Sequence, residues 1–174
     1  MKKLNPEHVS AVLNLINEGP YFKLLSMEVR EMRPGYSRVE VDVAEKHLNP
    51  FGGLHGGVYA STIDTAAYWA IYCELEEEVG LISLDLNVDN LAAVRDGLLI
   101  IEGRRIKVGR SVCSAEVSVK DAGGKYLAHG TSKQMVTRGL QTIGQAVQAM
   151  GHPALPPKFI ELGDVAARGI AIAG

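Results

Sequence analysis

Residues 49–73 read NPFGGLHGGVYASTIDTAAYWAIYC, and from His55 to Cys73 the one formal charge is Asp64. Apolar, small and hydroxyl side chains surround it. Carboxylates are almost never fully buried without a partner, and apolar surroundings disfavour the ionised form. Such an acid either reaches an amide or hydroxyl of another element and completes a core, or it marks a functional site. Just upstream, His55-Gly56-Gly57 lies where a Gly/Pro/Asn loop (residues 48–57) becomes a helix. The N–H groups of a first helical turn lack intrahelical acceptors and, with the helix dipole, favour negative charge. Glycine at 56 and 57 lets a ligand carbonyl come close to them, which is how an oxyanion hole is built. The plainer reading of the two glycines is a tight turn.

Gly57 and Asp64 are seven residues apart and share a helix face. At about 1.5 Å rise per residue they are also about 10 Å apart along the axis. Both cannot touch one scissile carbonyl from the same helix. A catalytic site therefore requires Gly57 of one subunit and the partner subunit's Asp64, on antiparallel helices across a two-fold axis. The expectation is a dimer or a dimer of dimers.

The elements that position these residues follow from pattern. Asn5-Pro6-Glu7 is a helix start, with a capping Asn, proline at the first position and an acid in the first turn. Val9, Val12, Leu13 and Ile16 form its stripe, and Gly19-Pro20 ends it. Met27 to Met32 is an expected strand and Pro34-Gly35 a turn. In SRVEVDVAE, Val39, Val41 and Val43 alternate with Arg38, Glu40 and Asp42, a half-exposed strand. A long apolar helix is expected from His55 to Glu78, with Glu76–Glu78 unfavourable near its C-terminus. Ser61, Thr62, Asp64 and Thr65 interrupt it, so it reads as a core helix and not a membrane span. Strands are expected over 80–91, 97–108, 110–121 and 125–137, with turn residues between them. A last helix spans Leu140 to Met150, and the proline-containing tail beyond it is not expected to form ordered structure. Hairpin-length links imply an antiparallel sheet against one helix, an α+β layering.

Residues 22–137 resemble the hotdog-fold acyl-CoA thioesterases of the phenylacetate-degradation (PaaI-like) branch. The resemblance rests on the ordered set of Asn49, His55-Gly56-Gly57, Asp64 and the LISLDLNV segment with Ser83. It implies a long central helix wrapped by a curved antiparallel sheet, in an oligomer that hydrolyses an acyl-CoA thioester to free acid and CoA. Carried over by position, Asp64 resembles the general base or nucleophile, and Gly57 the residue whose N–H polarises the thioester oxygen. Asn49 and His55 resemble polar residues that line the site. Ser83 resembles a hydroxyl contributed across the dimer near the attacking water. A thiolate leaves readily, so one acid with amides and hydroxyls suffices, and no cofactor or metal is expected. The five histidines show no metal-ligand spacing.

Arg104, Arg105, Lys107 and Arg110 form a basic run in a chain of net charge −2. Such a run is ordinarily a solvated strand face. The resemblance places CoA phosphates in this region, with Arg110 the first choice and Arg105 and Lys107 the solvent-facing pair. The chain divides into an N-terminal helix (1–20), the thioesterase domain (21–138) and a C-terminal extension (139–174), whose role as packed helix, subunit contact or lid stays open. With 174 residues, 47% hydrophobic and 22% charged, composition is ordinary for one globular domain. The charge balance gives no reason to expect nucleic acid or a membrane as partner. Cys73 and Cys113 form no disulfide framework, and the start lacks a signal-peptide apolar region, so a cytoplasmic setting is expected. Two other readings stay open: a non-catalytic acyl-CoA-binding or sensing hotdog domain, and a hydratase. The first would bind without hydrolysis. The second needs a His–acid pair that the HGG-x6-Asp order does not suit.

Overall fold

The structure, a computed structural model, describes residues 2–161. Six antiparallel strands form the main sheet in the order β2-β3-β5-β6-β7-β4. They are β2 (Met27–Arg33), β3 (Tyr36–Val43), β4 (Val79–Asn90), β5 (Gly97–Lys107), β6 (Val112–Asp121) and β7 (Tyr126–Arg138). One long helix, α3 (Gly56–Tyr72), packs against all six strands. This is the α+β layering expected, with β4 at one edge of the sheet.

The helix and the sheet meet most closely where side chains are smallest. Ser37, Gly103, Val117 and Gly130 form one row across β3, β5, β6 and β7. A Cβ on Gly103 would run into the Ala66 carbonyl oxygen of α3 and lie 2.7 Å from Ser37 Oγ. One on Gly130 would lie 2.9 Å from Ile63 Cγ2. Ser37 Oγ donates to the Ala66 carbonyl at 2.6 Å, so the nearest polar atoms are paired. Ile63 and Ala66 belong to one helical turn yet touch strands two apart, so the sheet bends around the helix.

The helix is shorter than expected. It ends at Tyr72, not Glu78, and Glu74 and Leu75 continue only as turns bonded to Ile71 and Tyr72. The acidic run thus lies outside the helix, and the cation favoured at a helix C-terminus comes from elsewhere. Lys158 is fully buried, donates from Nζ to the Tyr72 carbonyl at 2.7 Å and sits 3.7 Å from the centre of its ring.

That lysine belongs to the tail for which no ordered structure was expected. Up to Glu161 the tail is built into the protein. It follows α4 (Ile143–Ala149), which lies within the helix expected over Leu140–Met150, and it carries β8 (Phe159–Glu161), which pairs with a short β1 (Lys2–Leu4). Between β1 and the sheet lie α1 (Pro6–Asn17) and α2 (Pro20–Leu25), so Gly19-Pro20 ends one helix and starts another. The N-terminal segment is therefore more than one helix. Residues 162–174 of the C-terminal extension lie outside the described residues. Asn5 caps α1 through Glu7 N–H and also donates from Nδ2 to the Pro157 carbonyl at 2.8 Å. His8 Nδ1 meets the Pro156 carbonyl at 2.6 Å, and its Nε2 meets the Tyr72 hydroxyl at 2.7 Å. A pattern search misses these partners because short, proline-spaced segments have no period to detect.

Burial lowers the pKa of Lys158 to about 8 and that of His8 below its ordinary value. The neutral His8 ring fits its site, with Nδ1–H donating to the carbonyl and Nε2 accepting from the tyrosine. As pH falls below about 6.5, the unfolded chain takes up a proton that the folded chain refuses. His8 therefore contributes stability that is complete above that pH and is lost below it, by up to about 1.4 kcal/mol per pH unit. Thermal melts between about pH 7 and pH 5 should show a shallower acid loss in His8→Gln than in the parent chain. Gly103→Ala should lower the melting temperature by several degrees, for an overpacking cost of about 1–3 kcal/mol.

Candidate active site

The loop entering α3 is ordered by its own polar groups. Asn49 Oδ1 accepts from Phe51 N–H at 2.9 Å and from Gly53 N–H at 3.3 Å. His47, buried behind the loop, takes the Ala44 N–H on Nδ1 at 2.9 Å, and its Nε2 bonds the Leu25 carbonyl at 2.8 Å. The His47 carbonyl accepts from His55 N–H at 2.9 Å. Asn49 is thus first a loop-building residue, and its Nδ2 is the end left for a ligand.

His55 is the N-cap of α3, and its Nδ1 accepts from Gly57 N–H at 2.9 Å. His55, Gly56 and Gly57 are all exposed, so this helix end is open. The amide singled out as an oxyanion donor is therefore held by a neutral, solvent-facing side chain that a ligand oxygen can displace. Gly56, at the first helical position, has no intrahelical acceptor for its own N–H.

Asp64 is half-buried, and its surroundings differ from the apolar wall expected. Ser83 Oγ lies 2.8 Å from Oδ1 and 3.0 Å from Oδ2. Ser132 Oγ reaches Oδ1 at 3.1 Å and Gln134 Nε2 reaches it at 3.4 Å. Gln134 Nε2 also donates to Ser132 Oγ at 2.8 Å, and Ser132 can donate instead to the Asp85 carbonyl at 3.0 Å. Oδ1 thus faces three donors and Oδ2 one. Ser132 and Gln134 are fully buried, and among the described residues no buried side-chain polar atom lacks a partner.

Ser83 reaches Asp64 within its own chain, a correction to its placement across a dimer. The reason is register: Ser83 of β4 sits opposite Gln134 of β7, and both strands pack on α3. Sequence reasoning missed Ser132 and Gln134. Their signal was available as two polar residues at i and i+2 in the row Ala128, Gly130, Ser132, Gln134, where a strand should show its apolar face.

The basic run separates into two pairs. Arg105 shares the inward row of Leu99 and Ile101 yet stays exposed, as expected of it, and it is already paired with Glu74 at 2.8 Å. Arg104 leans over the Tyr36 ring, 5.4 Å from its centre, and lies 3.9 Å from Glu102. Lys107 and Arg110 are exposed and make no ion pair among the described residues. β6 begins at Val112, which leaves Arg110 in the turn before it. Cys113, Gln134 and Ser83 share one cross-strand row, so this turn adjoins the level of the sheet that holds Asp64. The two cysteines are free and buried, no helix among the described residues is long and apolar enough to cross a membrane, and no cluster there could hold a metal.

The sequence profile of the thioesterase superfamily matches residues 51–128, the segment that holds His55, Gly57, Asp64 and Ser83. Human acyl-coenzyme A thioesterase 13 is 30% identical over 99 residues, which cover 56% of this chain and 70% of that protein. A 1,4-dihydroxy-2-naphthoyl-CoA hydrolase from Listeria monocytogenes is 29% identical over 103 residues, 59% of this chain and 84% of its own. Among solved structures, a thioesterase from Haemophilus influenzae superposes with a TM-score of 0.68 at 24% identity, over 74% of this chain and 90% of that one. Fold and sequence agree: the chain belongs to the thioesterase superfamily and is a hotdog-fold thioester hydrolase.

Proposed function

We propose that the protein hydrolyses an acyl-CoA thioester to a free acid and CoA, with Asp64 as general base in a site shared by two subunits. The observation that carries this reading is the Asp64 carboxylate, held in place by Ser83, Ser132 and Gln134 with Oδ2 the less committed oxygen. Oδ2 takes a proton from water, and the water oxygen attacks the thioester carbonyl. The partner subunit's Gly57 donates its N–H to the developing oxyanion once the substrate oxygen displaces the histidine cap. The C–S bond then breaks, and the leaving sulfur takes up the proton that Asp64 holds, so CoA departs as the thiol and the carboxylate is restored. Exposed Lys107, at the end of β5, and Arg110, on the turn that follows, supply positive charge for the phosphates of CoA.

The sheet edge supports the shared site. β4 is a 12-residue edge strand, and Leu84 and Leu86 on it are 53% and 37% exposed. A long apolar edge is a template for pairing with another chain. Pairing two copies along β4 brings their Asp64-bearing helices together around a two-fold axis.

Asp64→Asn should lower kcat for acyl-CoA hydrolysis by about 100-fold or more while its circular dichroism and melting temperature stay near those of the parent chain. Turnover close to the parent rate would remove Asp64 from the mechanism. Sedimentation at assay concentration should show a dimer or a multiple of one, and a fully active monomer would contradict the shared site.

A further inference from the structure

The C-terminal extension does more than brace the helix. Between α4 and the C-terminal half of α3 lies a cavity of about 380 Å³, walled by Ile16, Tyr68, Trp69, Ile143, Ala146 and Ala149. A second cavity of about 250 Å³ lies along α4 toward Val147 and Leu155. No residue of α4 is buried. The helix is held from its ends instead. Thr142 caps it, Gln145 Nε2 donates to the Gly139 carbonyl at 3.1 Å, and the chain beyond is locked by buried Lys158. α4 is thus a strap across space that it does not fill.

The larger cavity starts at Tyr68, one helical turn from the Asp64 carboxylate. Tyr68 follows Asp64 by four residues, so it lies on the same helix face about 6 Å further along the axis. The Tyr68 hydroxyl, whose pKa burial pushes up to about 12, lies beside the Leu81 main chain, two residues before Ser83 on β4. The cavity wall therefore includes the face of α3 one turn beyond Asp64.

We propose that this cavity receives the acyl group of the thioester and that α4 sets its depth, an inference that rests on the acyl-CoA reading of Asp64. The occupant is uncharged and mainly apolar: most of the wall is aliphatic or aromatic, and Gln141, Thr142 and Gln145 add polar but no charged side chains. Tyr68 and Trp69 meet edge to face, with ring centres 4.8 Å apart. The volume is at the lower end for small-molecule sites, which suits one ring or a medium-length chain and leaves an acetyl group unsupported. Ala146 and Ala149 are then specificity-determining positions, in a segment outside the superfamily match.

The test measures hydrolysis of acetyl-, octanoyl- and benzoyl-CoA by the full chain and by Ala146→Phe. The parent chain should prefer octanoyl-CoA or benzoyl-CoA over acetyl-CoA by about ten-fold or more in kcat/KM. Ala146→Phe should erase that preference, mainly through KM, while acetyl-CoA turnover stays within about two-fold. The substrate that loses more tells a ring from a chain. Should Ala146→Phe not fold, Ala149→Leu carries the same comparison. A folded variant that keeps the parent preference, or loses all three substrates equally, overturns the cavity assignment and leaves the thioester reading standing. A parent chain that hydrolyses none of the three overturns both.

Discussion

The Ala66 carbonyl lies against Gly103 and accepts a hydrogen bond from Ser37. At that row no side-chain layer separates helix backbone from strand backbone. Close-packed interiors transmit strain because they have little void to yield into. One helical turn around Ile63 and Ala66 is therefore held between β5 and β7, and Asp64 sits within that turn. Its reach to Ser83, Ser132 and Gln134 is fixed by where the glycines stand in the sheet. A site built on rigid elements in this way holds its geometry better than one carried on loops. The packing constraint and the placement of the carboxylate are the same fact seen from two sides.

The two ends of α3 are treated differently. At its start a neutral, exposed histidine takes an amide that a ligand can also use. At its end a buried ammonium sits on the last carbonyl, backed by the tyrosine ring. Burying an unpaired charge is costly, and this one lies near Glu77, whose carboxylate accepts the Lys158 main-chain N–H at 3.3 Å. The open end is available for chemistry, and the closed end ties the terminal segments to the core.

The periodic parts of this architecture were legible in the sequence. The alternation of Val39 and Val41, the capped start of α1 and the apolar run after Gly57 gave the layering. The chemical identity of Asp64 stood out because nothing near it in the chain is charged. What stayed hidden came from partners far away in sequence. Ser132 and Gln134 are nearly 70 residues from the acid they serve. The end of α3 was misread because its cation comes from Lys158 and not from the helix itself. The ion partner of Arg105 was hidden for the same reason, since Glu74 lies on the turn after α3 and not in β5.

The pairing of β1 with β8 has a consequence for how the chain comes together. Asn5 and His8 find their partners in Pro156, Pro157 and Lys158. The two prolines lie 148 and 152 residues further along the chain, so α1 is made long before them, with these polar groups unanswered by protein. Contacts between such distant residues form slowly, since loop closure must precede any gain from them. α1 is thus a helix made early relative to its partners and finished late.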